Sequence, residues 1–308
     1  MTVRVLSAGM LTTVQDLGRF GYAHLGISPA GASDSLSFRI ANLLVGNAEN
    51  ETALEMTLVG AALEFETRAV VSITGGNMRN RDAKPLPMWA AVEVPGGTVL
   101  ECGQITQGAR AYLAVQGGIH SPMQTHSAST HLAGKIGGHN KGRALKRGDV
   151  LKCGTSPHGS VREVRPGFVE RMRGSGPIRI TPGVQWEWFE RDEVERFLGS
   201  SYCVSEQSNR AGLRLSGAAV HPKKRAELLT EGVPLGAVQI PPDGQPIVLF
   251  VDQQTTGGYL KIANVIAADL HRIGQLRPRD SIRFQLVSVE RAVQLLREQE
   301  ETLRAWAI

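Results

Sequence analysis

The stretch DQQTTGGYLKIANV, Asp252 to Val265, brings an acid, two glutamines, two threonines, a glycine pair, a tyrosine and a lysine into one short run. Thr255 and Thr256 offer hydroxyls, and the backbone of Gly257 and Gly258 lets a ligand come close because no side chain stands in the way. Tyr259 and Lys261 can orient or neutralise a reacting group, and Arg210, upstream, can do the same for an oxyanion or a phosphoryl group. Glu231, Gln239 and Asp243 recur at the ends of neighbouring apolar runs, where a carboxylate can act as a base. The stretch lies between the apolar runs PIVLFV and NVIAADL, so it reads as a site loop between two buried strands. The alternative reading is a polar β-bulge with no chemical role.

Two other segments carry chemistry-bearing side chains. TTVQDLGRFGYAHLGISPAGASD, from Thr12 to Asp34, holds Gln15, Asp16, Arg19 and Asp34 among glycines that permit sharp bends. Here the alternative is a structural loop in which Asp16 and Arg19 pair and cap turns. The glycine-rich run from Gly117 to Asp149 includes Arg143, and such backbone beside cations can cradle an anion. It lacks the GxxxxGK[ST] of a phosphate loop, and no GxGxxG follows a strand. Its histidines, 120, 126, 131 and 139, have spacings unlike a helical metal pair and no acid among them. No metal site is expected, and no GxSxG elbow marks a serine hydrolase.

The elements that must position these groups are mostly strands. VRVLSAG, ALEFE, AVVSITG, TVLECG, RAYLAVQGG, DVLKCG, IRITPG, PIVLFV and SIRFQLV are short apolar runs between turn signals. Helical periodicity is confined to Ser33–Gly46, to Trp188–Gly199 and to a closing amphipathic helix with Ser288 as its N-cap. The chain has 35 glycines in 308 residues and only 5% aromatics, which also favours a turn-rich β fold. A Gly-, Pro-, Ser- and Arg-rich stretch marks a boundary. The expected organisation is residues 1–155 as an N-terminal β-rich domain, 156–176 as a linker, and 177–308 as a second β-rich domain ending in a helix.

Bulk properties exclude several classes. The net charge of +5 is spread out, and its clusters at Lys223–Arg225 and Lys135–Arg147 lack interleaved aromatics, so nucleic acid is not an expected partner. No apolar run approaches the roughly 18 residues of a membrane span, and the N-terminus lacks a signal-peptide core. Three widely spaced cysteines give neither a CxxC nor a disulfide framework. The expectation is a soluble cytoplasmic protein with no membrane partner.

Taken in order, TVQDLGRFGYAHLGISPAGASD, ANLLVGN, ALEMTLVG, RAYLAVQGGI, GRALKRGD, SNRAGLRL, GAVQIPPDGQPIVLFVDQQTTGGYLKIANVIAADL and QLRPRDSIRF resemble the allophanate hydrolase subunit 2 family. This family is also called KipA or biotin-dependent carboxyltransferase-like. The chain departs from its usual pattern at Asn209 (usually Asp), Gln253 (often Arg), Leu260 (usually Pro), and at His126 and Arg279 (both usually Gly).

The resemblance implies two β-barrel-like domains, the second cyclophilin-like. Among stand-alone members it points most to the C component of 5-oxoprolinase. That component, with the enzyme's A component and its subunit 1-like (KipI-like) B component, hydrolyses 5-oxo-L-proline to L-glutamate using ATP. The resemblance implies Mg-ATP as co-substrate, held at a partner interface, a small polar amide substrate, and a chain inactive alone. Lys261, Arg210, Asp243 and Asp16 are then the expected catalytic groups. Gln15, Arg19, Asp34, Arg143, Gln239, Thr255, Thr256, Gly257, Gly258 and Tyr259 are the expected binding groups. Two other roles remain open: a regulatory protein that sequesters a KipI-like kinase inhibitor, or the carboxyltransferase half of a urea-type carboxylase. The chain has no biotin-accepting Met-Lys-Met, so biotin would have to come on another chain.

Overall fold

A computed structural model describes residues 1–154, 163–164, 167–223 and 228–307. Residues 156–162 and 165–166 of the expected linker, residue 155 before it, and residues 224–225 of the KKR cluster lie outside the described residues. The chain divides into two compact units, Met1–Phe20 with Ala30–Arg171, and Gly21–Pro29 with Met172–Ile308.

The first unit contains β1 (Thr2–Ser7), β2 (Leu11–Gln15), α1 (Ser35–Leu44), β3 (Ala53–Thr57), β4 (Ala62–Phe65) and β5 (Ala69–Arg79). It continues with β6 (Ala91–Val94), β7 (Thr98–Glu101), β8 (Gln104–Val115), β9 (Ile119–His120) and β10 (Val150–Cys153). These strands form two five-stranded sheets, ordered β7-β4-β1-β10-β9 and β2-β3-β8-β5-β6. Val3, Leu63 and Phe65 of the first sheet share one core with Leu54, Ile73 and Leu113 of the second. The outer face of the second sheet is covered by α1, where Phe38 meets Tyr112 edge-on at a centroid distance of 5.9 Å. That double cover explains why β8 is apolar on both faces along AYLAV.

The second unit follows the short helix α2 (Phe168–Arg173). It contains β11 (Ile178–Pro182), α3 (Arg191–Gly199), β12 (Tyr202–Val204), β13 (Gly212–Ser216), β14 (Glu231–Gly232), β15 (Ala237–Ile240) and β16 (Ile247–Leu249). Then come β17 (Thr256–Gly257), β18 (Leu260–Val265), α4 (Leu270–Ile273), β19 (Ser281–Ile282), β20 (Phe284–Leu286) and α5 (Val289–Ala307). Eight strands, ordered β19-β12-β13-β16-β15-β18-β11-β20, make a nearly closed barrel sheet, and β14 and β17 pair separately. Ile180, Val248 and Ile262 fill the core, with Phe197 stacked on Phe284 at 4.8 Å.

The mostly β architecture with few helices and a C-terminal helix is as the sequence led us to expect. Ser288 Oγ accepts from Arg291 N at 3.2 Å, in the capping position read from the sequence. One local reading changes. NVIAADL is not a strand beyond Val265: Ala267–Asp269 is a 3-10 turn leading into α4. The strand lies earlier, so Leu260 and Lys261 belong to β18 rather than to a loop. The apolar alternation that defines a buried strand begins at Leu260, and Lys261 masks it because its charge suggests solvent.

Candidate functional site

Lys261 is buried to 1% exposure, although an ammonium out of water is costly unless paired. Its position follows from strand pairing. β15 and β18 run antiparallel with Val238 opposite Ala263 and Gln239 opposite Lys261, so Ile262 is an extra residue on β18. This bulge turns Lys261 onto the same face as Gln239, as directly opposed residues share a face. The alternative reading of a polar β-bulge therefore describes real local geometry, and the bulge is what aims the lysine.

The partner of Lys261 is Glu231, whose Oε1 receives its Nζ. Glu231 is delivered by the small ladder in which Glu231 opposes Gly257 and Gly232 opposes Thr256. The polar TTGG segment thus has a framework task, because Thr255 O also accepts from Val233 N at 3.1 Å. Gln185 closes the arrangement from a third element, the turn after β11. Its Nε2 donates to Glu231 Oε1 at 2.7 Å and its Oε1 accepts from Lys261 N at 3.0 Å. The hydrogen bond from Lys261, and then that from Gln185, hold the Glu231 carboxyl below the usual glutamate range. The Glu231 side chain is 39% exposed and that of Lys261 is 2% exposed, so the pair presents its carboxylate to solvent and keeps its ammonium inside.

Gln239, 1% exposed, completes the cluster. Its Oε1 accepts from Gln254 Nε2 at 3.4 Å, and its Nε2 lies 2.8 Å from where a Cβ on Gly257 would sit. A side chain at 257 would therefore displace the Gln239 amide, while the backbone torsion there makes no such demand for glycine. Gly258 is more open, with its nearest such approach 3.3 Å from Leu228 O. Thr256 and Tyr259 are exposed, Tyr259 to 45%.

Other expected residues of this unit sit elsewhere in the bonding pattern. Arg210 makes a two-pronged pair with Asp252, Nε to Oδ2 at 2.9 Å and Nη2 to Oδ1 at 3.1 Å, both side chains being nearly buried. Asp243 is exposed in the turn between β15 and β16, where Oδ1 accepts from Gln245 N at 3.1 Å. Asn209 Oδ1 caps a turn through Ala211 N at 2.8 Å, a task an aspartate performs equally well.

In the first unit, Asp16 is 3% exposed and its carboxylate accepts from Gly18 N, Ser127 Oγ, Ala128 N and Ser129 Oγ at 2.5–2.7 Å. Arg19 donates to Ser129 O, and Gln15 Nε2 donates to Thr13 Oγ1 at 3.0 Å and Thr130 O at 3.2 Å. The structure thus gathers Gln15, Asp16 and Arg19 around the segment Ser127–Thr130. Asp34 is the N-cap of α1, accepting from Ser37 N at 2.8 Å. Arg143 grips Asp149 with bonds of 2.8 and 2.6 Å, which hold the aspartate below the usual range.

In the sequence Glu231 stands at a strand end with nothing to place it beside Lys261, and Gln185 carries no signal at all in TPGVQWEWF. No spacing connects residues 185, 231 and 261, which a turn, the β14–β17 ladder and β18 bring together. Among the described residues no group of three or more His, Cys, Asp or Glu side chains converges as a metal site would.

Comparison with known proteins adds independent findings. The family described as "Carboxyltransferase domain, subdomain A and B" matches residues 25–286. The chain is 40% identical to the C component of 5-oxoprolinase from Escherichia coli, over 99% of this chain and 98% of that protein. It is 37% identical to the protein of the same name from Haemophilus influenzae, over 97% and 95%. In structure it is similar to Kluyveromyces lactis urea carboxylase, with a TM-score of 0.89 and 32% identity, and spans 29% of that longer chain.

Proposed function

The chain belongs to the carboxyltransferase domain, subdomain A and B, family, and from that premise we propose that it is one component of an ATP-dependent 5-oxoprolinase. One observation carries the reading: the similarity to the C component of 5-oxoprolinase runs end to end, over 99% of this chain and 98% of the relative. Its partners are the subunit 1-like B component and the A component, and the complex opens 5-oxo-L-proline to L-glutamate.

The chemistry explains why several chains cooperate. A five-membered lactam is an unstrained amide and a poor electrophile. Phosphorylating its carbonyl oxygen activates the carbon. Water then adds there, the C–N bond breaks, and the nitrogen takes a proton to become the amine. A second water releases phosphate from the resulting acyl phosphate. Phosphoryl transfer and the tetrahedral adduct both put negative charge on oxygen, and a fixed cation in a water-poor site favours that charge. Lys261 is the group in this chain best suited to the task. Glu231, set beside it and open to solvent, can orient a water by accepting its hydrogen bond. Gln185 fixes both.

Carboxyl transfer to an amide or ureide is the second reading, favoured by the TM-score of 0.89 to urea carboxylase. Co-expression with A-like and B-like components, followed by assay of ADP and glutamate with 5-oxoproline, separates the two. Glutamate formation that requires this chain and is lost in Lys261→Met supports the 5-oxoprolinase. Turnover that needs bicarbonate and a biotinylated carrier instead would replace it with carboxyl transfer.

A further inference from the structure

Gln239 holds a buried donor that the fold itself does not use. The side chain is 1% exposed, and among the described residues its Nε2 has no hydrogen-bond partner. Buried amide donors are almost always satisfied, because leaving one bare forfeits its bonds to water. The position is also well defined. Gln239 stands directly opposite Lys261 in the β15–β18 ladder, one step past the bulge. Its Nε2 comes so close to Gly257 that a side chain there would push the amide aside. Gly257 is itself the residue opposite Glu231. The amide donor, the ammonium and the carboxylate are therefore set by two ladders, with the amide opposite the lysine and the lysine bonded to the carboxylate.

We propose that Gln239 Nε2 is the donor that recognises the carbonyl oxygen of a planar amide or ureide ligand, beside Lys261. A neutral donor and a cation on one face match the needs of such an oxygen, which is partly negative in the bound amide and more so once its carbon is attacked. The neutral donor selects for a carbonyl in the ground state, whereas a second cation would select for a carboxylate or phosphate. It also answers a difficulty in the lysine's own geometry. Lys261 is engaged by Glu231 in the free chain, so an arriving carbonyl meets its first uncommitted donor at Gln239. The ligand class is thus the cyclic or acyclic carboxamide, with the lactam and the ureide as its two sources. This inference rests on the lactam reading above but is separable from it.

The test uses the full chain together with its co-expressed partners and three probes: 5-oxoproline, 2-pyrrolidinone and 2-imidazolidinone. Binding is followed by calorimetry in wild type, Gln239→Met and Gln239→Glu. Gln239→Met keeps the volume and removes both the donor and the acceptor that Gln254 meets at 3.4 Å; the exposed Gln254 can turn to water, so the variant should melt close to wild type. Its affinity for the carbonyl probes should fall about five- to tenfold, as expected for one hydrogen bond. Gln239→Glu, which offers an acceptor, should fall further. Preference for 5-oxoproline identifies the lactam source, and preference for 2-imidazolidinone the ureide, with Gln239 in the same role. Equal affinity in wild type and a folded Gln239→Met overturns the inference while leaving 5-oxoprolinase activity standing. Failure of all three probes to bind wild type also overturns it. Loss of 5-oxoproline turnover with retained, Gln239-dependent binding of 2-imidazolidinone overturns the 5-oxoprolinase reading alone.

Discussion

At the scale of single residues, the exposure of the acidic partner separates the two buried cations of the second unit. Lys261 and Arg210 are both nearly buried cations with acidic partners. The Asp252 partner of Arg210 has a side-chain exposure of only 9%, so Arg210→Ala strands a carboxylate in the interior. That should cost about 3 kcal/mol in denaturant titration, a typical figure for a broken buried pair. A loss of less than about 1 kcal/mol would mean that Asp252 finds water, and would free Arg210 for a role beyond the pair. Glu231, by contrast, can hydrate when Lys261→Met removes its partner, so that variant should fold and report on activity. The carboxyl of Glu231 is held low by Lys261 and then by Gln185. A carboxyl whose folded pKa lies below its unfolded pKa stabilises the fold above the unfolded value and stops doing so as pH falls through the folded value. Wild type should therefore melt above Glu231→Gln near neutral pH, and the gap should close on acidification below the ordinary glutamate range. The low-lying Asp149 is common to both proteins and cancels. A gap that persisted at acid pH would show that the carboxylate charge is not what stabilises the pair. Cysteine chemistry follows the same logic. Burial pushes the thiols of Cys102 and Cys153 up to about 12, while Cys203 is half-buried. A thiol reagent at neutral pH should label Cys203 in the native chain and reach the other two only after unfolding.

At the scale of elements, the sequence is legible where one segment suffices to explain itself. The nine apolar runs all contain strands, and α1 appears with its acidic cap because local periodicity and capping are written in adjacent residues. Short strands such as β2, β12 and β15 escape this reading, since LTTVQ, YCV and AVQI are too brief or too polar to show a period. The site is half legible. The family likeness points to Gln239, Gly257 and Lys261, but Gln185 enters by pairing across the sheet, and Asp34 and Arg143 turn out to hold a helix start and a loop. The departures from the family pattern at His126 and Arg279 also gain a physical meaning. Both stand at left-handed backbone, with φ of 58° and 76°, where glycine is the unstrained choice. Arg279 recovers part of the cost through an exposed pair with Glu206 at 2.6 Å. Arg279→Gly should stabilise the chain by about 0.5 kcal/mol, since relief of about 1–2 kcal/mol outweighs a weak ion pair and the added freedom of the unfolded chain. Arg279→Ala keeps the backbone cost and loses the pair, so it should be neutral or slightly destabilising. Thermal melts of the two variants that shifted in the same direction would contradict this account of the turn.

At the scale of the whole molecule, the inventory of groups argues for a shared catalyst. Lactam opening with ATP needs a place for polyphosphate, usually a glycine-rich loop leading into a helix or a cation-held metal. The sequence has no GxxxxGK[ST], and the described residues form no acidic metal cluster. What the second unit does offer is a neutral amide donor, a buried lysine and a partly exposed carboxylate, which on the proposal above hold and polarise a carbonyl. On the reading proposed above, this chain holds the amide and its partners supply the nucleotide. The purified chain alone should therefore release no ADP in the presence of 5-oxoproline, and the partner proteins without it should form no glutamate. Mixing the separately purified proteins should restore both products in step, since phosphorylation and ring opening are coupled through one carbonyl oxygen. ADP release by the chain by itself would place the nucleotide site here and move Lys261 from carbonyl polarisation to phosphate binding. ADP release by the partners at the full rate without this chain would leave it only the later, hydrolytic step.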